Sequence, residues 1–165
     1  MNTIYQVLSK LEIPYEKHEH PAVYTVEEAL KYMRGNEGTY NKSILLRNKK
    51  GSNYYLVVTL GSKRLDLKEL ASFLHESKLS FSSAEKLKEY LGVTPGSVSP
   101  FGLMNDTQNV VQVIIDEDLL KFSQQGFHPN DNTATLIIST ADFMKFLEWT
   151  RNKIIYLQNH QGEVI

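Results

Sequence analysis

The sequence predicts an α+β fold, one mixed β-sheet with helices packed over it. Three observations carry that reading. Residues 110–115 form a nearly unbroken β-branched run and 133–139 a second apolar one, as strands covered on both faces require. A Ser/Thr/Asp-x-x-Glu pattern precedes three amphipathic stretches, where the cap side chain and the glutamate satisfy the free N–H groups of a helix start. Strands and helices do not alternate regularly, which excludes a doubly wound parallel sheet.

In chain order, Ile4, Val7, Leu8 and Leu11 share one helical face, giving a helix over 2–11 that Pro14 ends. Residues 15–20 read as extended. Thr25-Val26-Glu27-Glu28 opens a helix over 26–33, closed by Gly35. After a polar loop, 43–47 and 54–59 are strands joined by Asn48-Lys49-Lys50-Gly51-Ser52-Asn53, a hairpin with a long turn. Asp66-Leu67-Lys68-Glu69 and Ser82-Ser83-Ala84-Glu85 start helices over 67–75 and 83–91, with a short strand at 79–81 between them. Residues 92–109 hold three of the nine glycines and two of the five prolines and lose hydrophobic periodicity, so they form a loop long enough to have a function. The strand at 110–115 leads to a short helix over 116–122, the strand at 133–139, and a final helix over 140–158 capped by Ser139 or Thr140.

At 165 residues the chain makes a single domain, 1–165, burying roughly two thirds of the surface its unfolded form exposes. The lack of cysteine excludes disulfides, thiolate metal centres, iron–sulfur clusters and a cysteine nucleophile. A formal net charge of -1 argues against coating nucleic acid by bulk electrostatics, but leaves room for a local basic patch. Residues 1–11 lack the basic start and apolar run of a signal peptide, and no window approaches the ~20 apolar residues of a membrane span. A cytoplasmic protein with no membrane partner is the expectation.

Within the long loop, Gly96, Ser97, Val98, Ser99 and Pro100 combine a backbone that can approach a ligand closely with a proline that restricts it. Main-chain N–H groups there can meet a carbonyl oxygen; a turn that merely joins helix to strand has the same composition. Lys42 stands where a polar loop enters a hydrophobic strand. Its ammonium can anchor a phosphate or carbonyl, act as a base if desolvated, or be an ordinary solvated edge lysine. No glycine precedes it, so it is not part of a Walker loop. Phe127-His128-Pro129-Asn130 puts His128 at a strand entrance, placed to bond an amine or hydroxyl, to shuttle a proton, or to stabilise a turn.

Other signals are weaker. His18 and His20, two apart, face one side, but without cysteine or a His-Glu-x-x-His helix no metal site is expected. Asn130-Asp131-Asn132 lacks the glycine and terminal glutamate of a calcium loop, and there is no Gly-x-Ser-x-Gly elbow. Arg47, Lys49 and Lys50 around the hairpin join Lys31, Arg34, Lys63 and Arg64 in a one-sign strip, for residues 42–64 contain no acid. Such a strip can contact several phosphates, or it can be the charged edge of a soluble hairpin.

These motifs, taken together, resemble a known family. The carriers are His20-Pro21-Ala22-Val23-Tyr24-Thr25, Lys42 before Ile44-Leu45-Leu46-Arg47, the run from Leu91-Gly92-Val93-Thr94 through Pro95-Gly96-Ser97-Val98-Ser99-Pro100-Phe101-Gly102 to Leu103-Met104-Asn105-Asp106, and Phe127-His128-Pro129-Asn130. Their order and spacing are similar to the aminoacyl-tRNA editing domain shared by free-standing prolyl-tRNA editing proteins and the insertion domain of bacterial prolyl-tRNA synthetase. The resemblance covers nearly the whole chain and looks closest to the free-standing alanyl-tRNA(Pro) deacylase branch.

The resemblance implies a curved, partly barrel-like mixed sheet with helices outside. It implies hydrolysis of the ester joining a mischarged amino acid to the terminal adenosine of tRNA, with no ATP, no cofactor and no required metal. Lys42 would be the principal functional side chain, residues 96–100 would shape the amino-acid pocket, and His128 would lie in or beside it. The implied partners are mischarged tRNA, through the acceptor end of tRNA(Pro), and transiently prolyl-tRNA synthetase; DNA is not expected. Ser43 departs from the pattern, which often has asparagine after the lysine. One hydroxyl cannot reproduce every hydrogen bond of an amide at the terminal adenosine. A non-catalytic module of the same fold, sensing an amino acid or binding tRNA, is the competing reading; the set of Lys42, 96–100 and His128 favours the enzyme.

Overall fold

The computed structural model describes residues 3–22 and 39–158. The expected helix over 26–33 and the basic residues Lys31 and Arg34 lie outside them. Thr3 caps α1 (Ile4–Lys10) by accepting from the Gln6 N–H, while the Gln6 side chain accepts from the Thr3 N–H, a complete capping box. The helix buries Ile4, Val7 and Leu8. β1 (Glu16–Glu19), β2 (Thr39–Asn48) and β3 (Tyr54–Leu60) follow, then α2 (Leu67–Phe73) capped by Asp66, β4 (Leu79–Phe81) and α3 (Ala84–Leu91) capped by Ser83. A 3-10 helix (Pro100–Asn105) interrupts the long loop before β5 (Val111–Asp116). A second 3-10 turn (Glu117–Lys121), β6 (Gln124–Phe127), β7 (Ala134–Ser139), α4 (Thr140–Thr150) and β8 (Ile154–Leu157) complete the described chain.

The C-terminal part departs from expectation. The last helix stops at Thr150 rather than running to 158, because Arg151 adopts a left-handed conformation with φ 65°. The next residue, Asn152, is buried and donates to both Asp106 and the Val111 carbonyl. This turns the chain back to add β8 in parallel beside β5. β6 is a strand that the sequence analysis did not assign.

The eight strands form one mixed sheet in the order β1-β7-β6-β2-β3-β5-β8, with β4 attached to β2. β2 is long enough for two strands to share one edge. β6 pairs in parallel with Thr39 and Tyr40, and β4 pairs antiparallel with Leu46, Arg47 and Asn48. Among the described residues the sheet runs open from β1 to β8 and does not close into a barrel.

Alternation along the strands sorts the core onto two faces. Leu45, Leu56, Val58, Val113, Ile115, Leu136 and Ile138 point into the main core with Leu8, Leu91, Phe143 and Phe146 from the helices. Leu46, Val57 and Ile114 point the other way, against Leu70 and Ala71 of α2 and Leu79 of β4. Fully buried side chains such as Leu56 and Ile114 contribute about 1.5 to 3 kcal/mol each.

Candidate functional site

By the same alternation, Tyr40 and Lys42 of β2 share a face with Ile44 and Leu46, opposite the main core. β6 sends Phe127 into the main core, so the next residue, His128, comes out on the Tyr40 side. The Tyr40 and His128 rings lie 6.1 Å apart and His128 and His20 lie 6.2 Å apart, both edge-on. His20 is fixed at the end of β1 by bonds to the Pro21 carbonyl and the Thr135 hydroxyl, each 2.9 Å. Tyr40 carries no motif of its own, whereas His20 opens the His-Pro-Ala-Val-Tyr-Thr run. The i, i+2 spacing of Tyr40 and Lys42 on a strand was the signal that they share a face.

His128 is buried, and burial, aided by the neighbouring His20, holds its pKa below the usual imidazole value. Its Nδ1 lies 3.0 Å from the Ala134 carbonyl oxygen. A carbonyl can only accept, so Nδ1 carries the proton and the neutral ring presents the Nε2 lone pair. Tyr40 is half-buried, and burial raises its pKa, so it stays a neutral phenol. Lys42 is half-buried as well. Burial lowers its pKa, and its ammonium donates to the Lys63 carbonyl. Ser43, next along β2, faces the opposite side, paired in register with Val58.

In the 96–100 loop, Gly96 has φ 93°, a conformation a side chain would strain. The Ser97 N–H is committed to the Thr94 carbonyl, and the Ser99 hydroxyl caps the 3-10 helix by accepting from the Phe101 N–H. The N–H groups of Gly96, Val98 and Ser99 have no hydrogen-bond partner among the described residues. Val98 packs on the main core and Ser97, Ser99 and Pro100 are buried. The segment after the loop reaches the His128 turn: Phe101 stacks edge-on against Phe127 at 5.6 Å, and Asn130 donates to the Met104 sulfur. A cavity of about 680 Å³ opens there, with Tyr5, Lys17, His20, Met104 and Asn130 in its wall. Neither Lys42 nor the 96–100 loop lines that cavity, and the hydrogen bond of Lys42 goes to Lys63, not to the loop. The structure thus brings His128, Tyr40 and His20 together, with Lys42 one strand pleat away, and ties the loop to them through Phe101 and Met104.

The hairpin residues divide. Arg47 donates to the carbonyls of Asn48 and Lys49 and so braces the turn, whereas Lys49 and Lys50 are exposed at its tip. An acid from elsewhere in the chain enters this basic strip. Glu76 accepts from Tyr55, Asn53 and Asn48, and these bonds hold its carboxyl below the ordinary range. Burial and Glu76 push the Tyr55 phenol up to about 12. His18 Nε2 lies 2.9 Å from the Glu16 carboxylate. Among the described residues no three His, Cys, Asp or Glu side chains converge, and no helix is long and apolar enough to cross a membrane.

Comparison with known proteins places this geometry in a lineage. The prolyl-tRNA editing protein ProX of Acetoanaerobium sticklandii is 41% identical over 88% of this chain and 88% of its own. The prolyl-tRNA synthetase associated domain-containing protein 1 of Bos taurus is 33% identical over 92% of this chain and 91% of its own. The crystal structure of a candidate trans-editing enzyme for prolyl-tRNA synthetase superposes with a TM-score of 0.69 at 23% identity, covering 96% of this chain and 98% of that one, and so shares the fold. The family model of the aminoacyl-tRNA editing domain matches residues 20–146, from the buried histidine of the ring cluster to the fourth helix; the chain belongs to that family.

Proposed function

We propose that the protein is a cytoplasmic trans-editing deacylase that hydrolyses the ester of a mischarged tRNA, with Ala-tRNA(Pro) as its main substrate. The observation that carries this is membership of the aminoacyl-tRNA editing family, with Lys42 on the face of the sheet where Tyr40 meets His128. In the reaction, the oxygen of water bonds to the acyl carbon, the acyl–oxygen bond breaks, and the ribose oxygen leaves with a proton. The enzyme must place the water and stabilise the oxygen that becomes negative. Lys42 polarises the ester or holds the terminal phosphate, and the N–H groups of Gly96, Val98 and Ser99 add fixed dipoles. His128 Nε2 accepts from the substrate's amino group or from the water, and the adjacent ribose hydroxyl of the tRNA assists as base. Binding alone separates one methylene by only about 1 to 3 kcal/mol, so a pocket that excludes proline by size is the effective sieve.

The direct test is metal-free, single-turnover hydrolysis of Ala-tRNA(Pro), with Pro-tRNA(Pro), Ser-tRNA and Cys-tRNA in parallel. Alanine is released and proline is retained. Release of a different amino acid would reassign the substrate, and binding without release would favour the sensing module.

The pH dependence follows from His128. Burial lowers its folded pKa from the ordinary imidazole value, which favours the neutral ring and moves its protonation to the acid side of that value. Once the spontaneous rate is subtracted, deacylation falls on the acid side of that value, and His128→Asn loses that limb; an acid limb unchanged in the variant would belong to another group. Lys49 and Lys50 are proposed phosphate contacts. Reversing both charges lowers tRNA affinity and flattens the plot of log affinity against log salt by about one unit per lost contact. An unchanged slope would remove this tip from the interface. Arg47, which braces the turn, is a poorer candidate for direct contact.

A further inference from the structure

The loop after β3 holds Lys42. The Gly61 N–H donates 3.0 Å to the Tyr40 carbonyl, and a Cβ on Gly61 would come within 2.5 Å of the Tyr40 ring, so the loop lies flat on β2. Two residues on, the Lys63 carbonyl accepts from the Lys42 ammonium. The side chain of Lys63 runs the other way, to Asp116 at 2.5 Å and Asp118 at 2.6 Å. Asp116, at 1% exposure, also accepts from the Thr59 hydroxyl at 2.7 Å and the Asp118 N–H at 2.9 Å. Thr59 is the register partner of Lys42. Burial alone would pull the Lys63 ammonium down, but its hydrogen bonds and charge pairing with the two aspartates outweigh that and keep it charged.

From this we infer that Lys63 is a positioning residue for Lys42: its ammonium, locked between Asp116 and Asp118, fixes the main-chain carbonyl that aims the Lys42 ammonium. Three donors, the Lys63 ammonium, the Thr59 hydroxyl and the Asp118 N–H, converge on the buried Asp116 carboxylate, which is far more than a solvent-exposed turn requires. The expense is understandable if the turn must hold a functional cation within a fraction of an ångström, because a misplacement of about 1 Å can lower a rate by about 100-fold. The inference rests on the role proposed for Lys42.

The experiment is a double-mutant cycle on single-turnover deacylation of Ala-tRNA(Pro), using Lys42→Ala, Lys63→Met and the pair. Lys63→Met lowers the rate constant about 10- to 100-fold while the half-saturating tRNA concentration stays within about twofold, because Lys42 remains but is misaimed. The double variant is no slower than Lys42→Ala, and Lys63→Arg, which keeps the ion pairs, recovers most of the rate. If removing Lys63 leaves Asp116 too poorly paired to fold, Asp118→Asn weakens the same anchor at its more exposed end and gives a smaller loss in the same parameter. Additive losses in the cycle, or full activity in Lys63→Met and Asp118→Asn, would overturn the inference. Full activity in Lys42→Ala would instead overturn the underlying role of Lys42, so the two failures are distinguishable.

Discussion

Lys42→Ala loses deacylation by about 100- to 1,000-fold, the cost of removing one preorganised donor from a developing oxyanion, and still folds. The retained fold follows from its surroundings: Lys42 is half-buried, its hydrogen bond is to one main-chain carbonyl, and no acid pairs with it in the described structure. Losing such a bond costs about 0.5 to 1.5 kcal/mol. The rate loss follows because burial makes an ammonium a stronger electrostatic partner than it would be in water, and because His128, held neutral, cannot replace the missing positive charge. Lys42→Arg separates charge from geometry. A guanidinium keeps the charge but is a planar fork of different reach, so it restores only part of the rate. Single-turnover kinetics with thermal unfolding of each variant checks both halves; wild-type turnover in a folded Lys42→Ala protein would remove Lys42 from the reaction.

Much of the fold was legible because its signals are local. The cap at Asp66, the hairpin and the β-branched run of β5 are set by neighbouring residues and form where the sequence expects them, and the helix expected from 83 starts one residue later, capped by Ser83 rather than Ser82. β6 was not legible because it buries polar residues. Gln125 is fully inside, satisfied by Asn41, the Leu119 carbonyl and the Thr140 hydroxyl, partners between 6 and 84 positions away. β8 was hidden for a different reason: Ile154, Ile155 and Leu157 continue an apolar pattern that a helix would also accept. Only the left-handed Arg151 and the long-range bonds of Asn152 to Asp106 and Val111 end the helix. At the site, the sequence singled out Lys42 and His128 but not what surrounds them. Lys63 was read as part of a basic strip, yet its charge is neutralised by two aspartates more than 50 residues away. Glu76 enters the same strip from 23 residues beyond Asn53. Charge runs along a chain therefore overstate charge on the surface.

Phe101→Ala has the largest effect on stability. The ring is fully buried immediately after the 96–100 loop and stacks edge-on against both Phe127 at 5.6 Å and Phe146 at 5.3 Å. Truncating such a ring costs about 3 to 5 kcal/mol, from lost burial and from the cavity that close-packed neighbours cannot refill. Against the 5 to 15 kcal/mol typical of a whole domain, that is a large share. At about 2 to 4 °C per kcal/mol for a chain of this size, the melting midpoint falls by about 6 to 20 °C. The same ring joins two parts of the site, since Phe127 directly precedes His128 and Phe101 directly follows Pro100. Phe101→Leu fills most of the space but loses the two ring contacts, so it melts between wild type and Phe101→Ala. Deacylation measured well below the melting point falls in both variants, more than in Trp149→Leu, which alters a partly buried ring packed on Phe146 at 5.9 Å and away from the His128 turn. Equal activity losses in all three would mean that Phe101 supports the core alone; a larger loss at Phe101 at matched stability means that the core ring sets the spacing between the loop donors and His128.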